Sequence, residues 1–340
     1  MSAPAVFVTG ATGFIGCHVV REFAAAGHPV LALVHHRESP QLTELVDAGK
    51  ASVVRGDAVN PQVIDTVGDA CAARGWELGC VVHAAGRATD VGRRLAFQRA
   101  NVDTVRNVAK LVTADDSVRL IHISTTDVYG LRDFHGEAED ELPCDDNRGN
   151  PYAASKIEAE EWLRDNVPPE QCVVLRPAAV WGPDDTTLTL RFADFLRWSP
   201  VVVHFGKWRG RNRWPLAHVR NVAMAALAAS RTQATGQAIN VLDNERTTID
   251  EFYDLVARVY HPCMPHHRLC LPLALGTVLG AVSSGIAHLL GRDRPLFDPS
   301  RYAVHSTSWN LDFSNARFNQ LLQEQGMTPV SRTEGEEGLR

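Results

Sequence analysis

The 340-residue sequence has no Cys-x-x-Cys pair, and its seven cysteines (Cys17, Cys71, Cys80, Cys144, Cys172, Cys263 and Cys270) are an odd number. A disulfide framework is therefore not indicated. The N-terminus, MSAPAVFVTG, has no basic n-region and no cleavable hydrophobic run, so it does not read as a signal peptide. Together these absences point to a reducing, cytoplasmic compartment. Charge of one sign is also scarce. The net charge is −6 and the pI about 6.2, which argues against the basic footprint of a nucleic-acid binder. The 25 glycines and 18 prolines follow no period, which excludes collagenous and low-complexity classes.

What is present is ordinary globular material. Hydrophobic residues make up 45% of the chain, which excludes disorder for most of it. At roughly 150 residues per domain, the length predicts about two domains. One run stands apart: Leu269 to Gly291 contains no Asp, Glu, Lys or Arg. Pro272, Gly276, Gly280, Gly285, Ser283, Ser284 and His288 interrupt it, so a buried or interfacial helix is expected in preference to a membrane span.

The first half alternates short apolar runs with helical periodicity. Strands are predicted at Ala5–Thr9, Val30–Val34, Ser52–Arg55, Cys80–His83 and Val118–Ile123, with helices at Gly13–Ala26, Leu42–Ala48, Pro61–Ala73 and Val91–Val112. Such alternation means βαβ units and a parallel sheet covered on both faces. The fold class expected is α/β, a doubly wound Rossmann sheet with a smaller C-terminal substrate-binding portion. Leu131–Asn150 is polar and acidic and reads as a solvated loop. Pro151–Asn166 reads as a helix and Cys172–Arg176 as a strand. After these the alternation weakens, with helices expected at Thr187–Trp198, Val219–Arg231 and Ile249–Tyr260 and a strand at Ala238–Leu242. The division expected is a dinucleotide-binding domain over 1–180, rejoined by residues near 215–245. A mainly substrate-binding portion follows over 181–330. The last ten residues, SRTEGEEGLR, are polar and expected to fray.

The first strand runs into Thr9-Gly10-Ala11-Thr12-Gly13-Phe14-Ile15-Gly16. Glycines at G-x-x-G-x-x-G let the backbone turn sharply and approach a pyrophosphate. The helix that follows aims its free N–H groups at the phosphates. The second strand ends at His35-His36-Arg37, where an acidic residue would accept from the ribose 2′-hydroxyl of NAD. Arg37, aided by His36, instead suits the 2′-phosphate of NADP(H), with NAD(H) the less favoured cofactor. Gly56-Asp57-Ala58 is placed to meet the adenine. Ala84-Ala85-Gly86 offers small residues where a cofactor lies flat on the backbone.

Tyr152 and Lys156 stand four residues apart on a predicted helix and share one face. A phenol is a poor acid or base near neutrality. A nearby ammonium lowers it toward the working range. Ser124-Thr125-Thr126, at the end of the fifth strand, supplies a hydroxyl to hold a substrate oxygen.

These residues resemble the extended short-chain dehydrogenase/reductase family, the NAD-dependent epimerase/dehydratase superfamily. The resemblance runs in order through TGATGFIG (9–16), HAAG (83–86), Asn101-Val102, STTDVYG (124–130), YAASK (152–156), RPAAVWGP (176–183), HVRNVAMA (218–225) and Asp312–Pro329. In the last segment the usual Lys is Asn315. The resemblance implies that Tyr152 is the catalytic acid/base and that Lys156 binds the ribose. Thr125, with Ser124 the weaker candidate, takes the substrate hydroxyl role. Asn101 lies near the cofactor, and Pro177 and Val180 line the nicotinamide side. Sugar-nucleotide dehydratases of the family carry Thr-Asp-Glu before Val-Tyr-Gly, where this chain has Thr125-Thr126-Asp127. Many epimerases carry an Asn where it has Ala179. The sequence is more similar to the branch of 3β-hydroxysteroid dehydrogenases and dihydroflavonol reductase-like enzymes.

The function expected is therefore reversible, NAD(P)H-dependent reduction of a ketone on a largely apolar small molecule. A sugar-nucleotide epimerase and a non-catalytic NADP sensor stay open as alternatives. The helix over 271–290 is expected to cover the substrate pocket with its bulky face (Leu275, Leu279, Val282, Ile286) and to suit peripheral membrane contact. Further partners expected are the apolar ketone or alcohol and a second copy of the chain. No metal is expected, although His261, Cys263, His266 and His267 cluster. No nucleic acid is expected, although Lys207 to Arg213 is basic and bracketed by tryptophans.

Overall fold

A computed structural model describes the chain except residues 1–2, 37–38, 90–91, 145–146, 148, 233–235, 263–266, 291–299, 338 and 340, and the side chains of 287 and 288. The first half contains β1 (Ala5–Thr9), α1 (Phe14–Ala25), β2 (Val30–Val34), α2 (Pro40–Asp47), β3 (Ala51–Arg55), α3 (Pro61–Ala72) and β4 (Leu78–His83). Then α4 (Arg94–Phe97) and α5 (Thr104–Thr113) are joined through a π-helical turn at Gln98–Asp103, and β5 (Arg119–Ile123) follows. A 3-10 turn at Thr126–Tyr129 leads to β6 (Phe134–Glu137), α6 (Pro151–Asn166), β7 (Cys172–Pro177) and β8 (Ala179–Trp181). Next come α7 (Thr189–Trp198), β9 (Val201–Phe205), β10 (Leu216–His218), α8 (Val219–Ala229), β11 (Ala238–Val241) and α9 (Ile249–Tyr260). The chain closes with β12 (His267–Leu271), α10 (Leu273–Leu289), α11 (Arg301–Ser306), β13 (Leu311–Phe313), α12 (Ala316–Glu324) and α13 (Arg332–Glu337).

Seven strands form one parallel sheet in the order β11-β7-β5-β4-β1-β2-β3. β1 and β2 are buried along their whole length because helices cover both faces, which is why they read as continuous apolar runs. Alternate residues feed two cores. Val6 and Val8 pack with Val19 and Phe23 of α1, while Ala5 and Phe7 pack with Ile64 of α3 and Val105 of α5. The strand order reverses between β1 and β4, which pair Thr9 with His83. A crevice at the carboxyl ends of these strands is where open α/β sheets take ligands.

Local chemistry sets the helix starts. Ser39, Asn60 and Asn150 cap α2, α3 and α6, each followed by a proline in the first turn, a position that needs no N–H donor. Thr248 and Glu251 form a reciprocal capping box on α9.

Four expectations change. The segment over 131–150 is not simply solvated loop. Phe134 is fully buried, β6 pairs in parallel with β13, and Glu139 accepts from the Asn240 backbone N–H at 2.8 Å. Its acidity meets internal partners, since Asp133 accepts from Trp208 Nε1 (2.8 Å) and the Asn310 N–H (3.0 Å). The polar tail forms α13, where Gly335 sits so close to Trp181 and His218 that a Cβ would clash with both rings. The helix expected from Val91 begins at Arg94 and is interrupted by the π turn. The fourth change concerns α10. Leu275, Val278, Leu279 and Val282 are 45–60% exposed. The opposite, small-residue face packs inward: Gly276 lies against Phe205 and Val304, and Gly280 against the Arg301 backbone. A helix can approach another backbone closely only through such residues, so the bulky face is left outside and does not cover the pocket. Among the described residues, no helix is long and apolar enough to cross a membrane.

Candidate active site

The glycine turn is built for close approach. Gly10 has φ +68, and a Cβ on it would lie 2.7 Å from the Ala85 nitrogen and 2.8 Å from the Ala84 carbonyl oxygen. A Cβ on Gly16 would collide with the Gly10 carbonyl, and one on Gly13 would come within 3.1 Å of it. The N-cap of α1 is Gly13, and no side chain caps the first turn. Phe14, Ile15 and Gly16 therefore begin a helix whose end is open to an anion. Thr12 stands half-buried in the same turn. These features fit a dinucleotide pyrophosphate.

The neighbouring strand ends are tied together beneath this turn. The Thr9 hydroxyl contacts His83 Nδ1 at 2.8 Å and accepts from the Ala85 N–H at 3.2 Å. The other ring nitrogen of His83 contacts the Thr104 hydroxyl at 3.2 Å. Burial, reinforced by the Lys156 charge, pushes His83 down to about 3, so it stays neutral. Sequence reasoning did not single out Thr9, His83 or Thr104 as a unit, because they come from three separate elements.

The adenosine end is less uniform. His36 is exposed, with its ring centroid 3.4 Å from that of His35. His35 Nε2 lies 3.6 Å from the Asp57 carboxylate, which also accepts from the Val59 N–H. Ala58 is buried in the hydrophobic core between the sheet and α3. Arg37 lies outside the described residues.

Asn101 sits in the π turn, an irregularity often found at functional sites. It is buried, and its amide holds protein rather than facing outward. It accepts from the Arg87 N–H (2.7 Å) and donates to the Arg87 carbonyl (3.1 Å) and the Ser155 hydroxyl (2.8 Å). It thereby clamps the loop after β4 to α6, and its Oδ1 would lie 3.0 Å from a Cβ on Gly86. Only a glycine leaves that floor flat. Pro177 is buried at the end of β7, and Val180 is half-buried in β8.

α6 presents the reactive pair. Asn150 caps it by accepting from the Tyr152 and Ala153 N–H groups, which fixes Tyr152 in the first turn. The Thr125 hydroxyl stands close enough to the Tyr152 phenol to act on its ionisation. Thr125 ends the β5 segment and caps the following 3-10 turn. Ser124 instead donates to Glu160, two turns further along α6. Lys156 is buried, and its Nζ donates to the Ile123 carbonyl at 2.7 Å. Burial pushes Lys156 down to about 8, while Glu160 works in the opposite direction. The phenol of Tyr152 is pushed above its ordinary value by burial and by the Asp127 charge, and the Thr125 hydroxyl opposes this. Lys156 is not among the groups that act on the phenol, so the expected lowering of Tyr152 by the lysine is not seen.

Behind these side chains lies a polar chain missed from sequence. Arg176 pairs with Glu160 at 2.5 Å, both nearly fully buried, and donates to the Tyr129 hydroxyl at 2.9 Å. Tyr129 in turn donates to Asn240 at 2.7 Å. The spacing of Lys156 to Glu160, one more helical turn on the same face, is the signal that could have exposed it. A cleft opens over Tyr152, lined by Ala88, Thr89, Asp127, Asn150 and Tyr302. The His261 cluster falls partly on Cys263 and His266, outside the described residues. Elsewhere Cys17, His18 and Asp184 bring ligand atoms within 4.8 Å of one another, but Arg21 stands 3.6 Å from Asp184 and opposes a cation there.

The family model described as "NAD dependent epimerase/dehydratase family" matches residues 6–241. The chain belongs to this family. Within it, a 2-alkyl-3-oxoalkanoate reductase of Stenotrophomonas maltophilia (strain K279a) is 30% identical over 237 residues, 68% of this chain and 67% of that protein. A ceramide reductase of Caulobacter vibrioides (strain NA1000 / CB15N) is 31% identical over 232 residues, 68% of this chain and 62% of that protein. In fold, the chain is similar to the UDP-glucuronic acid 4-epimerase of Bacillus cereus solved with UDP-glucuronic acid and NAD. The TM-score is 0.68 at 19% identity, covering 98% of this chain and 97% of that one. Nicotinamide-dependent oxidoreduction is thus the activity class of this chain at the level of the family.

Proposed function

We propose that the chain is an NADP(H)-dependent enzyme that interconverts a ketone and a secondary alcohol on a small molecule with an apolar body. The observation that supports this best is the nearness of the Thr125 and Tyr152 hydroxyls beyond the end of β5, with Lys156 buried beside Gly86. Two converging hydroxyls can hold one carbonyl oxygen, and one of them can deliver its proton.

In this reading Gly10, Thr12, Gly13, Phe14, Ile15 and Gly16 hold the pyrophosphate. Asp57 and Ala58 flank the adenine, and His36 and Arg37 bind the 2′-phosphate. Ala84, Ala85 and Gly86 form the floor, Asn101 keeps that floor in place, and Pro177 and Val180 wall the nicotinamide side. Lys156 binds the ribose. When bound, the nicotinamide supplies the hydride that reaches the carbonyl carbon. Thr125 and Tyr152 hold the carbonyl oxygen, and Tyr152 donates its proton as charge builds there. A phenol kept protonated by its surroundings suits the reductive direction. The reductase names of the relatives at about 30% identity support the same class. The epimerase alternative is disfavoured by Ala179, which has no polar side chain to offer a nucleotide diphosphate.

The test is a ketone panel followed at the NADPH absorbance band. Stoichiometric cofactor consumption supports the proposal. Conversion of a UDP-sugar without net cofactor consumption overturns it.

A further inference from the structure

The cleft over Tyr152 is not the apolar slot that a purely hydrocarbon ketone would fill. Of its six lining residues, only Ala88 lacks a polar side-chain group; the others are Thr89, Asp127, Asn150, Tyr152 and Tyr302. Its cavity volume is about 150 Å³, below the usual range of sites that enclose a whole drug-sized ligand. It therefore takes the head of a molecule rather than a whole polycyclic or long-chain body.

Asp127 is the one lining residue whose side chain is an acid. It is half-buried in the 3-10 turn that Thr125 caps, so its place follows directly from the turn that sets the catalytic threonine. It lies near enough to Tyr152 for its charge to act on the phenol. Asp127 also carries an interaction within the protein. A carboxylate offers about four lone-pair sites, so such an interaction leaves room to accept from a ligand. An ionised carboxylate can only accept. Whatever the substrate places against it must donate a hydrogen bond or carry positive charge. A substrate carboxylate or phosphate there would face like-charge repulsion in a half-desolvated setting.

We infer that Asp127 forms a specificity subsite, next to the carbonyl-holding pair Thr125 and Tyr152, for a hydrogen-bond donor on the substrate. The donor is a hydroxyl or amide N–H on a carbon adjacent to the ketone or one beyond it. The substrate class is thus a neutral hydroxy- or amido-ketone with an apolar remainder, not a free 3-oxo acid. This rests on the ketone-reductase reading above and narrows it.

The experiment compares three matched probes of equal chain length with NADPH: a 1-hydroxy-2-alkanone, the 2-alkanone that lacks the hydroxyl, and the 3-oxoalkanoate. Wild-type protein should prefer the hydroxyketone over the alkanone by about tenfold or more in kcat/KM, the scale of one hydrogen bond to a charged group. It should use the 3-oxoalkanoate worst. Asp127→Ala should reduce the hydroxyketone preference to within about twofold, mainly through KM, since a lost binding contact acts there. Asp127→Asn, which keeps the shape and removes the charge, should admit the 3-oxoalkanoate.

The wild-type preference is measured without any variant, so a variant that fails to fold does not blunt the test. Wild-type protein that consumes NADPH with equal preference for the alkanone, or best with the 3-oxoalkanoate, overturns the subsite and leaves the reductase reading standing. So does an Asp127→Ala protein that folds and keeps the preference. If none of the ketones consumes cofactor, and none of the matching alcohols reduces NADP+, the reductase reading falls and the subsite falls with it.

Discussion

The Thr125 hydroxyl meets the Tyr152 phenol, although one belongs to a strand end and the other to the first turn of a helix. Neighbouring Ser124 is withdrawn from this pair, because its hydroxyl donates to Glu160, two turns further along the same helix. That leaves Thr125 as the hydroxyl beside the cleft over Tyr152.

Tyr152→Phe should leave the fold intact, since the ring packing is kept, and should change NADPH affinity little. Turnover should fall by about 100-fold or more, the usual scale for a lost general acid. The checks are circular dichroism, cofactor titration by fluorescence, and steady-state kinetics. Turnover like that of the wild type would remove Tyr152 from the mechanism.

Cofactor choice turns on the end of β2. Arg37→Ala should weaken NADPH by about 1.5–3 kcal/mol, as for a hydrogen bond to a charged group, and should leave NADH nearly unchanged. Titration of both cofactors into both proteins checks this. Equal affinities for NADH and NADPH in the wild type would contradict the assignment.

Much of the nucleotide half was legible because one rule governed each stretch. Apolar runs punctuated by Gly10, Gly13 and Gly16 mean a strand, a turn and a helix, and the structure has them. The short strands β8, β9, β10, β12 and β13 were not legible. They are three to five residues long and pair across large separations, such as Leu311 with Phe134, so no local period announces them. The acidic segment at 131–150 is hard to read from sequence for a related reason. Its charges look solvent-bound until Asp133 finds Trp208 and Glu139 finds Asn240. At α10 the helical period is legible, but bulk alone points to the wrong inward face. The close approach of Arg301 and Phe205 selects the glycine face instead.

Buried histidines should make the protein acid-sensitive. Burial holds His83 at about 3 and His218 at about 4, and pushes His122 down as well. Unfolded, each returns to about 6.5. Between those limits the unfolded chain binds more protons, so stability falls as pH drops below about 6.5. Among the described residues, neither ring nitrogen of His122 has a hydrogen-bond partner. His122→Leu should therefore stabilise the fold, by about 1–3 kcal/mol if the full cost of an unpaired group is recovered, and should lessen the acid slope. Thermal melts from pH 8 to pH 4 check both points. A melting temperature independent of pH across that range would contradict the assignment of neutral buried imidazoles.

The exposed face of α10 gives a prediction of the opposite kind. Leu279→Ser combined with Val282→Ser should change stability by no more than about 0.5 kcal/mol per site, as for surface positions. The Michaelis constants for long and short ketones should stay as in the wild type. A selective rise for long substrates would restore this helix as a cover of the pocket.

The central claim is hydride transfer to a carbonyl carbon held by Thr125 and Tyr152. Its most direct test is the mass of the alcohol formed from a hydroxyketone with NADPH carrying two deuterium atoms at nicotinamide C4. The account predicts one deuterium on the new carbinol carbon for each NADP+ produced. A product that is an isomer of its substrate, with the cofactor returned unconsumed, would contradict it.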